Sequence, residues 1–407
     1  MPLDYRKVYQ EIVAFARKAG AIYQEQDKQR ERALALLQDW AQEGEALRER
    51  VEQAGRLSAH WRSASPFREP LAAAIDPPQD ADALVAQALL LAADGSQIEP
   101  NPHAALYYGL VNVGVVVMGS DVVPRTRAAS RFWSPEDLSR QALHIALHRD
   151  LRERAVLAEA AQVLKGQRPV PQGWEDFYAD LPPKPHLITL TDGPLELWGA
   201  DEDPASAFHE VLHTYIGHLH TLTTLGAVSA GYVDKPRANL VVHMLALADL
   251  QAAPQRDDVR RILRRDFAFW ETSDLSLFGE WLKPGQRSAV FALASPARRD
   301  YRDRLALHFF YLNTSADPHS PTIARVEIPQ DVAARPEALD VLHAVLLWQS
   351  RRVPEVAYPY VLHRAHEVAV VRREDRQAVE AWLQEQLLAH GLHPGRKSAK
   401  QRLKDFR

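Results

Sequence analysis

The 407-residue sequence predicts a mixed α/β fold. Three observations carry that expectation. Strand-like apolar runs precede a long helical segment, and another such run follows it, which is the order of a mixed sheet with a helical connection. Two of the runs, Leu89-Leu90-Leu91-Ala92-Ala93 and Leu187-Ile188-Thr189-Leu190-Thr191, end in Asp-Gly, at Asp94-Gly95 and Asp192-Gly193. The first sixty residues carry apolar side chains at helical spacing.

In chain order, residues 1–60 read as two helical segments. Ile12, Phe15, Ala19, Ile22 and Tyr23 form one stripe; Leu36, Leu37, Trp40, Leu47 and Val51 form the next, with a wholly polar stretch at 24–32 between them. Such an arm packs on its own core or makes a dimer or partner contact. Residues 66–82 are proline- and acid-rich and read as a linker. The strand ending at Asp94 follows, then a Val-, Tyr- and Leu-rich β segment over 104–118. A helix is expected over 135–165, with Ser134 as N-cap before Pro135 and Glu136. After the strand ending at Asp192, residues 205–250 read as helical with an interruption near 226–236. Further strands are expected over 304–312 and 322–328, and further helices over 336–351 and 375–390. Beyond Pro394 the tail holds Arg396, Lys397, Lys400, Arg402, Lys404 and Arg407 against Asp405 alone. It is either a solvated tail or a contact for phosphate or an acidic partner.

Composition narrows the function. Apolar residues make up 46% and charged residues 25% of the chain, which is ordinary for a water-soluble globular protein. No apolar run reaches membrane-spanning length. Residues 1–18 carry charges throughout, so no secretory signal is expected there. The absence of cysteine excludes disulfides, thiolate metal sites and cysteine nucleophiles, and fits a cytoplasmic protein. A net charge of −4 requires any nucleic-acid contact to rest on local positive charge. The P-loop, the G-x-S-x-G elbow and the G-x-G-x-x-G fingerprint are all missing.

An acid at the end of a buried strand is costly unless something cationic meets it. Two such strands in one sheet would aim Asp94 and Asp192 at one point, a geometry suited to a divalent cation with oxygen ligands. Asp-Gly alone is also a common turn former; the pair points to a site. A third acid is expected from the intervening helix. Glu153 shares a stripe with Val156, Leu157, Ala160 and Leu164 that should face the sheet, and Glu159 is its competitor. Late in the chain, Tyr358-Pro359 precedes a helix expected to carry His363 and His366, either of which can ligate a metal or move protons near neutral pH. A separate match, His209-Glu210-Val211-Leu212-His213, has the H-E-x-x-H form of a zinc hydrolase, although the Gly and His extension of the metzincins is absent.

Taken in order, these segments resemble the NurA family of DNA-repair nucleases. The matching pieces are Asp94-Gly95-Ser96, an acid on the following helix, and Asp192-Gly193. Gly231-Tyr232, Pro284-Gly285-Gln286-Arg287-Ser288, Arg325-Val326-Glu327-Ile328-Pro329, and Tyr358-Pro359 with His366 follow in the family's order. Two departures stand out: Asp192-Gly193-Pro194 replaces the more usual Asp-Gly-Ser, and a proline-rich insert fills 166–185. The resemblance implies an α/β, ribonuclease H-like mixed sheet core flanked by helices, with a helical arm at 1–65, a nuclease core at 83–375, and a C-terminal helix and basic tail at 376–407. It implies that Asp94, Glu153, Asp192 and His366 hold one or two Mn²⁺ or Mg²⁺ ions and that Tyr358 positions the phosphate or a water. It also implies 5′-to-3′ exonuclease and single-strand endonuclease activity on DNA ends, a homodimer, and a hexameric HerA-type ATPase as partner. A non-catalytic DNA-end-binding scaffold is the alternative from another class.

Overall fold

The structure, a computed structural model, describes residues 3–101, 106–141, 145–198, 205–353 and 356–392. The basic tail therefore lies outside the described residues. Eleven strands are described: β1 (Ser63–Pro66), β2 (Ala74–Ile75), β3 (Ala88–Ile98), β4 (Gly109–Met118), β5 (Arg125–Trp133), β6 (His186–Asp192), β7 (Val228–Asp234), β8 (Arg287–Ser288), β9 (Phe291–Ala294), β10 (Leu307–Asn313) and β11 (Ile323–Pro329). The chain divides into two units, Met1–Pro77 with Val233–Val326 and Pro78–Tyr232 with Glu327–Arg407. Among the described residues no helix is long and apolar enough to cross a membrane.

The second unit holds the mixed sheet. Its order is β7-β6-β3-β4-β5. β3 pairs parallel with β6 and antiparallel with β4, β4 pairs antiparallel with β5, and β6 pairs parallel with β7. This is the ribonuclease H-like arrangement that the resemblance implied. Odd-numbered residues of the two central strands, Leu89, Leu91, Val111, Val113, Val115 and Val117, bury against Val156, Leu157 and Ala160 of the helix Ile145–Leu164. Burying each such Val or Leu stabilises by about 1.5–3 kcal/mol. The even-numbered face meets the helix Tyr360–Ala369. That approach needs Gly114: a Cβ there would strike the Ala365 carbonyl oxygen and come within 2.6 Å of the Ala369 nitrogen.

The helix expected over 135–165 is described over Pro135–Gln141 and Ile145–Leu164. Two local expectations are corrected. The interruption near 226–236 is β7, so the Gly231-Tyr232 segment is strand. The polar stretch 24–32 sits inside one helix, Tyr5–Asp39, because its polar residues dock it. Gln29 is buried with Ala33 and Leu37, its side-chain oxygen accepts from the Glu271 N–H at 3.0 Å, and Arg32 pairs with Asp249 at 2.7 Å.

In the first unit, β1 pairs antiparallel with β9, and β9 with β10. Asp274 is fully buried. It accepts the N–H groups of Val241 and Val242, at the start of the helix Leu240–Ala248, and the Tyr311 hydroxyl. These donors satisfy orphan groups of a helix terminus and offset the cost of a buried carboxylate. The Pro-Gly-x-Arg-Ser turn is structural here. Arg287 forks onto both carboxylate oxygens of Glu69 at 2.9 and 3.0 Å, and Glu69 also accepts the Val290 N–H.

Two outcomes are expected. Gly114→Ala should cost about 1–3 kcal/mol by overpacking, read by urea unfolding, whereas Gly20→Ala, where a Cβ meets nothing, should not destabilise. Burial, helped by Arg68 and Arg298, lowers His308 to about 4. Between pH 6.5 and 4 the unfolded chain then binds this proton and the folded chain does not, so stability falls with pH by about 3 kcal/mol from this group. His308→Leu should flatten that part of the profile; an unchanged slope would refute the assignment.

Candidate active site

Asp94 and Asp192 stand at the same end of adjacent parallel strands. β3 and β6 pair from Ala88↔His186 to Ala93↔Thr191, and the two aspartates are the next residue on each strand. Neighbouring strands run roughly 4.8 Å apart, so the sheet sets the carboxylates side by side. Both strands leave the core here: residues 88–93 and 187–191 are buried, Asp94 is half-buried and Asp192 exposed.

His366 Nδ1 lies 2.7 Å from Asp94 Oδ2. A proton on Nδ1 donated to the carboxylate leaves Nε2 as the ring's acceptor, on a largely exposed imidazole. The helix that carries it is tied at both ends. At its start, the Val361 N–H donates to the buried Gln349 side chain at 2.8 Å. At its end, Asn112 donates to the Ala369 and Val368 carbonyls, the Ser96 hydroxyl donates to the Ala369 carbonyl, and the Val371 N–H donates to Ser96. Ser96 and Asn112 are cross-strand partners, and Ser130, opposite Asn112 on β5, donates to it. A polar row across three strands thus satisfies the carbonyls that a helix terminus leaves unpaired.

Asp192 accepts a hydrogen bond from Tyr358. Burial, then the charge and hydrogen bond of Asp192 and the charge of Asp94, raise the Tyr358 hydroxyl far above its ordinary value, so it stays protonated. Tyr232, paired with Asp192 across β6 and β7, meets the Tyr358 ring edge-on at 5.4 Å.

Glu153 approaches from the opposite face of β3. A Cβ on Gly95 would lie 2.5 Å from Glu153 Oε1, so the missing side chain admits the carboxylate to the strand that carries Asp94. Glu153 is buried. Burial first, with the charges of Asp150 and Asp94, pushes it well above the carboxylate range, while Arg149 and Arg154 act against that. Its neighbour Arg149 is 3.5 Å away but donates chiefly to Asp150, at 2.7 and 3.0 Å. Glu159 points elsewhere and pairs with Arg152 at 3.0 Å. Among the described residues no three carboxylate or imidazole groups form a ready-made metal cage. The donors stand as Asp94 with His366, Asp192 with Tyr358, and Glu153 behind Gly95. Three carboxylates and one imidazole nonetheless match a hard divalent cation, and a buried acid short of positive charge is what such a cation would neutralise.

The turn after Asp192 is braced by a network that the sequence did not announce. Arg154, fully buried, donates through Nη2 to Thr191 Oγ1 at 2.9 Å and to the Tyr215 hydroxyl at 3.2 Å. Tyr215 donates to the Leu195 carbonyl, and the Leu195 N–H donates to buried Glu327 at 2.9 Å. The Gly193 N–H donates to the Tyr232 carbonyl. Gly231 has no room for a Cβ, which would lie 2.6 Å from the Gly193 carbonyl oxygen. Thr191 and Leu195, on either side of Asp192, are both held. Gly231 and Glu327 belonged to matched motifs, but Arg154 and Tyr215 did not; Arg154 follows Arg152 and Glu153 and reads in sequence as surface charge.

His209, Glu210 and His213 lie on the exposed side of the helix Ala205–Thr224, whose Val211, Leu212 and Tyr215 face inward. Among the described residues they belong to no metal-binding group.

Glu327→Ala should leave the buried Leu195 N–H without this acceptor, costing about 1–3 kcal/mol. It should also speed hydrogen exchange at that amide. Glu327→Gln, which keeps an oxygen acceptor, should lose less on both measures; equal losses would show that only charge matters.

The NurA domain family model matches residues 88–371. Among solved structures, the NurA nuclease from Sulfolobus solfataricus aligns at 12% identity over 95% of this chain and 98% of its own, with a TM-score of 0.48. The catalytic domain of human endonuclease V aligns at 14% identity over 83% of this chain and 98% of its own, with a TM-score of 0.33. No curated protein matches. With the family's domain spanning most of its length, the chain belongs to the NurA family.

Proposed function

We propose that this protein is a metal-dependent DNA nuclease, a phosphodiester hydrolase. The observation that carries the reading is the convergence of Asp94 and Asp192 on adjacent strand ends, with His366 bonded to the first and Tyr358 to the second. Asp94, Glu153, Asp192 and His366 are the residues that would hold one or two Mn²⁺ or Mg²⁺ ions. Such ions, when bound, polarise the scissile phosphate and lower the pKa of water.

The chain's own residues supply the rest. The bond to Asp94 occupies Nδ1 of His366 and leaves Nε2 as the ring's one remaining acceptor, which would serve either as a metal ligand or, in place of that role, to move a proton to or from the reacting oxygens. Tyr358 holds its proton and donates it in a hydrogen bond to Asp192, fixing the carboxylate's rotamer. Glu153, which burial pushes towards its neutral form behind Gly95, would serve as a carboxylate ligand where a bound cation compensates its charge. Family membership supports the wider reading: a cytoplasmic homodimer that resects DNA ends with a HerA-type hexameric ATPase, as a 5′-to-3′ exonuclease and single-strand endonuclease.

Asp94→Asn and Asp192→Asn should each abolish Mn²⁺-dependent cleavage of DNA and weaken Mn²⁺ binding by calorimetry, without lowering the unfolding midpoint. His366→Ala should slow cleavage by about 10²–10⁴-fold, and Tyr358→Phe by less. Glu153→Gln should be inactive and Glu159→Gln active. His209→Ala with His213→Ala should cut normally. Full activity in Asp94→Asn would overturn the reading.

A further inference from the structure

The first unit contains a cavity of about 510 Å³ that the nuclease reading does not use. Arg56, Arg298 and Arg299 line it against one carboxylate, Glu52. That is a local excess of positive charge on a chain whose net charge is −4. Glu52 meets Arg56 only at 3.4 Å, with both side chains substantially exposed, so the pair is weak and Arg56 is available to another anion. Among the described residues neither Arg298 nor Arg299 has a carboxylate within ion-pair distance. Pro296 is exposed and supplies an apolar wall, and the buried Val51 and Trp61 close the floor beneath it. The Trp61 N–H is satisfied by Ser63 Oγ at 3.0 Å.

Guanidinium groups fork onto phosphate oxygens, and an apolar wall beside them suits a base. Ligand pockets of roughly 300–1,000 Å³ take molecules of this size. We propose that the cavity binds a nucleotide, its phosphate on Arg56, Arg298 and Arg299 and its base against the Pro296 wall over the Val51 and Trp61 floor. The site goes beyond the nuclease reading and does not rest on it, because binding is read in EDTA without cleavage.

The test is calorimetric titration of the full chain at fixed ionic strength with deoxyadenosine monophosphate, inorganic phosphate and citrate. Saturable binding of the nucleotide is expected, at least tenfold tighter than either small anion. Gly55 lines the cavity, and a Cβ there meets nothing within 4 Å. Gly55→Trp should therefore fill the space while the protein still unfolds at its normal temperature, and weaken binding at least tenfold. Arg298→Glu with Arg299→Glu should do the same, and Glu52→Gln should tighten binding, a gain that misfolding cannot produce. Displacement of the mononucleotide by an eight-residue oligothymidylate lacking terminal phosphates would assign the site to a strand, and failure to displace would assign it to free nucleotide. No saturable nucleotide binding, equal affinity for phosphate or citrate, or indifference to both the Gly55 and the double arginine variants would overturn the proposal.

Discussion

His366 reaches Asp94 because residue 114 has no side chain. Asp94 and Gly114 face each other across β3 and β4, and any Cβ at 114 would meet the backbone of the helix Tyr360–Ala369. On the other face, the same requirement falls on Gly95, against which Glu153 rests. Two helices therefore approach the β3–β4 pair from opposite sides, one register position apart, at a missing side chain on each strand. The polar row Ser96-Asn112-Ser130 completes the arrangement by satisfying the end of the histidine-bearing helix. The helix is thus placed by hydrogen bonds to its backbone, and the ring is then turned by its own bond to Asp94.

Charge is distributed unevenly around this framework. Three carboxylates gather near one strand end, while Arg149 is drawn mainly to Asp150. Arg154 is a buried cation whose named partners are hydroxyl groups. Burying it without a carboxylate is expensive in isolation. Its compensation comes from the hydrogen bonds that tie Thr191 and Tyr215 together. An interior polar network of this kind loses more than one bond's worth when a member is removed.

Much of this was legible in the sequence. Asp94 and Asp192 stood out because each ends an apolar run, and a strand that leaves the core at an acid reads that way on paper. The strands near 307–313 and 323–329 and the helices Pro336–Ser350 and Arg373–Ala389 have strong periodicity and were read near their bounds. β5 was not, because an edge strand with Arg125, Arg127 and Arg131 on a largely solvated surface has no alternating apolar face. The helix Ile145–Leu164 is covered by the sheet on one side and by the helix Ala205–Thr224 on another. Its periodicity is blurred, and Glu153 and Glu159 could be separated only by where each carboxylate goes. Arg154, Gln349 and Asn112 were invisible as functional supports because their partners lie far along the chain. Asn112 left the trace of a lone polar residue inside an apolar run, whereas Arg154 sat among charged neighbours and left none.

The bond between Asp94 and His366 joins residues 272 positions apart. During synthesis, the strand that carries the aspartate emerges first, and the histidine 272 residues later. The polar row on β3, β4 and β5 is ready before the helix it caps exists. A chain interrupted before residue 366 therefore presents the acids without the imidazole, and the complete constellation first exists once His366 has been made. For a protein whose proposed substrate is DNA, chain order itself acts as a delay on assembly of the site.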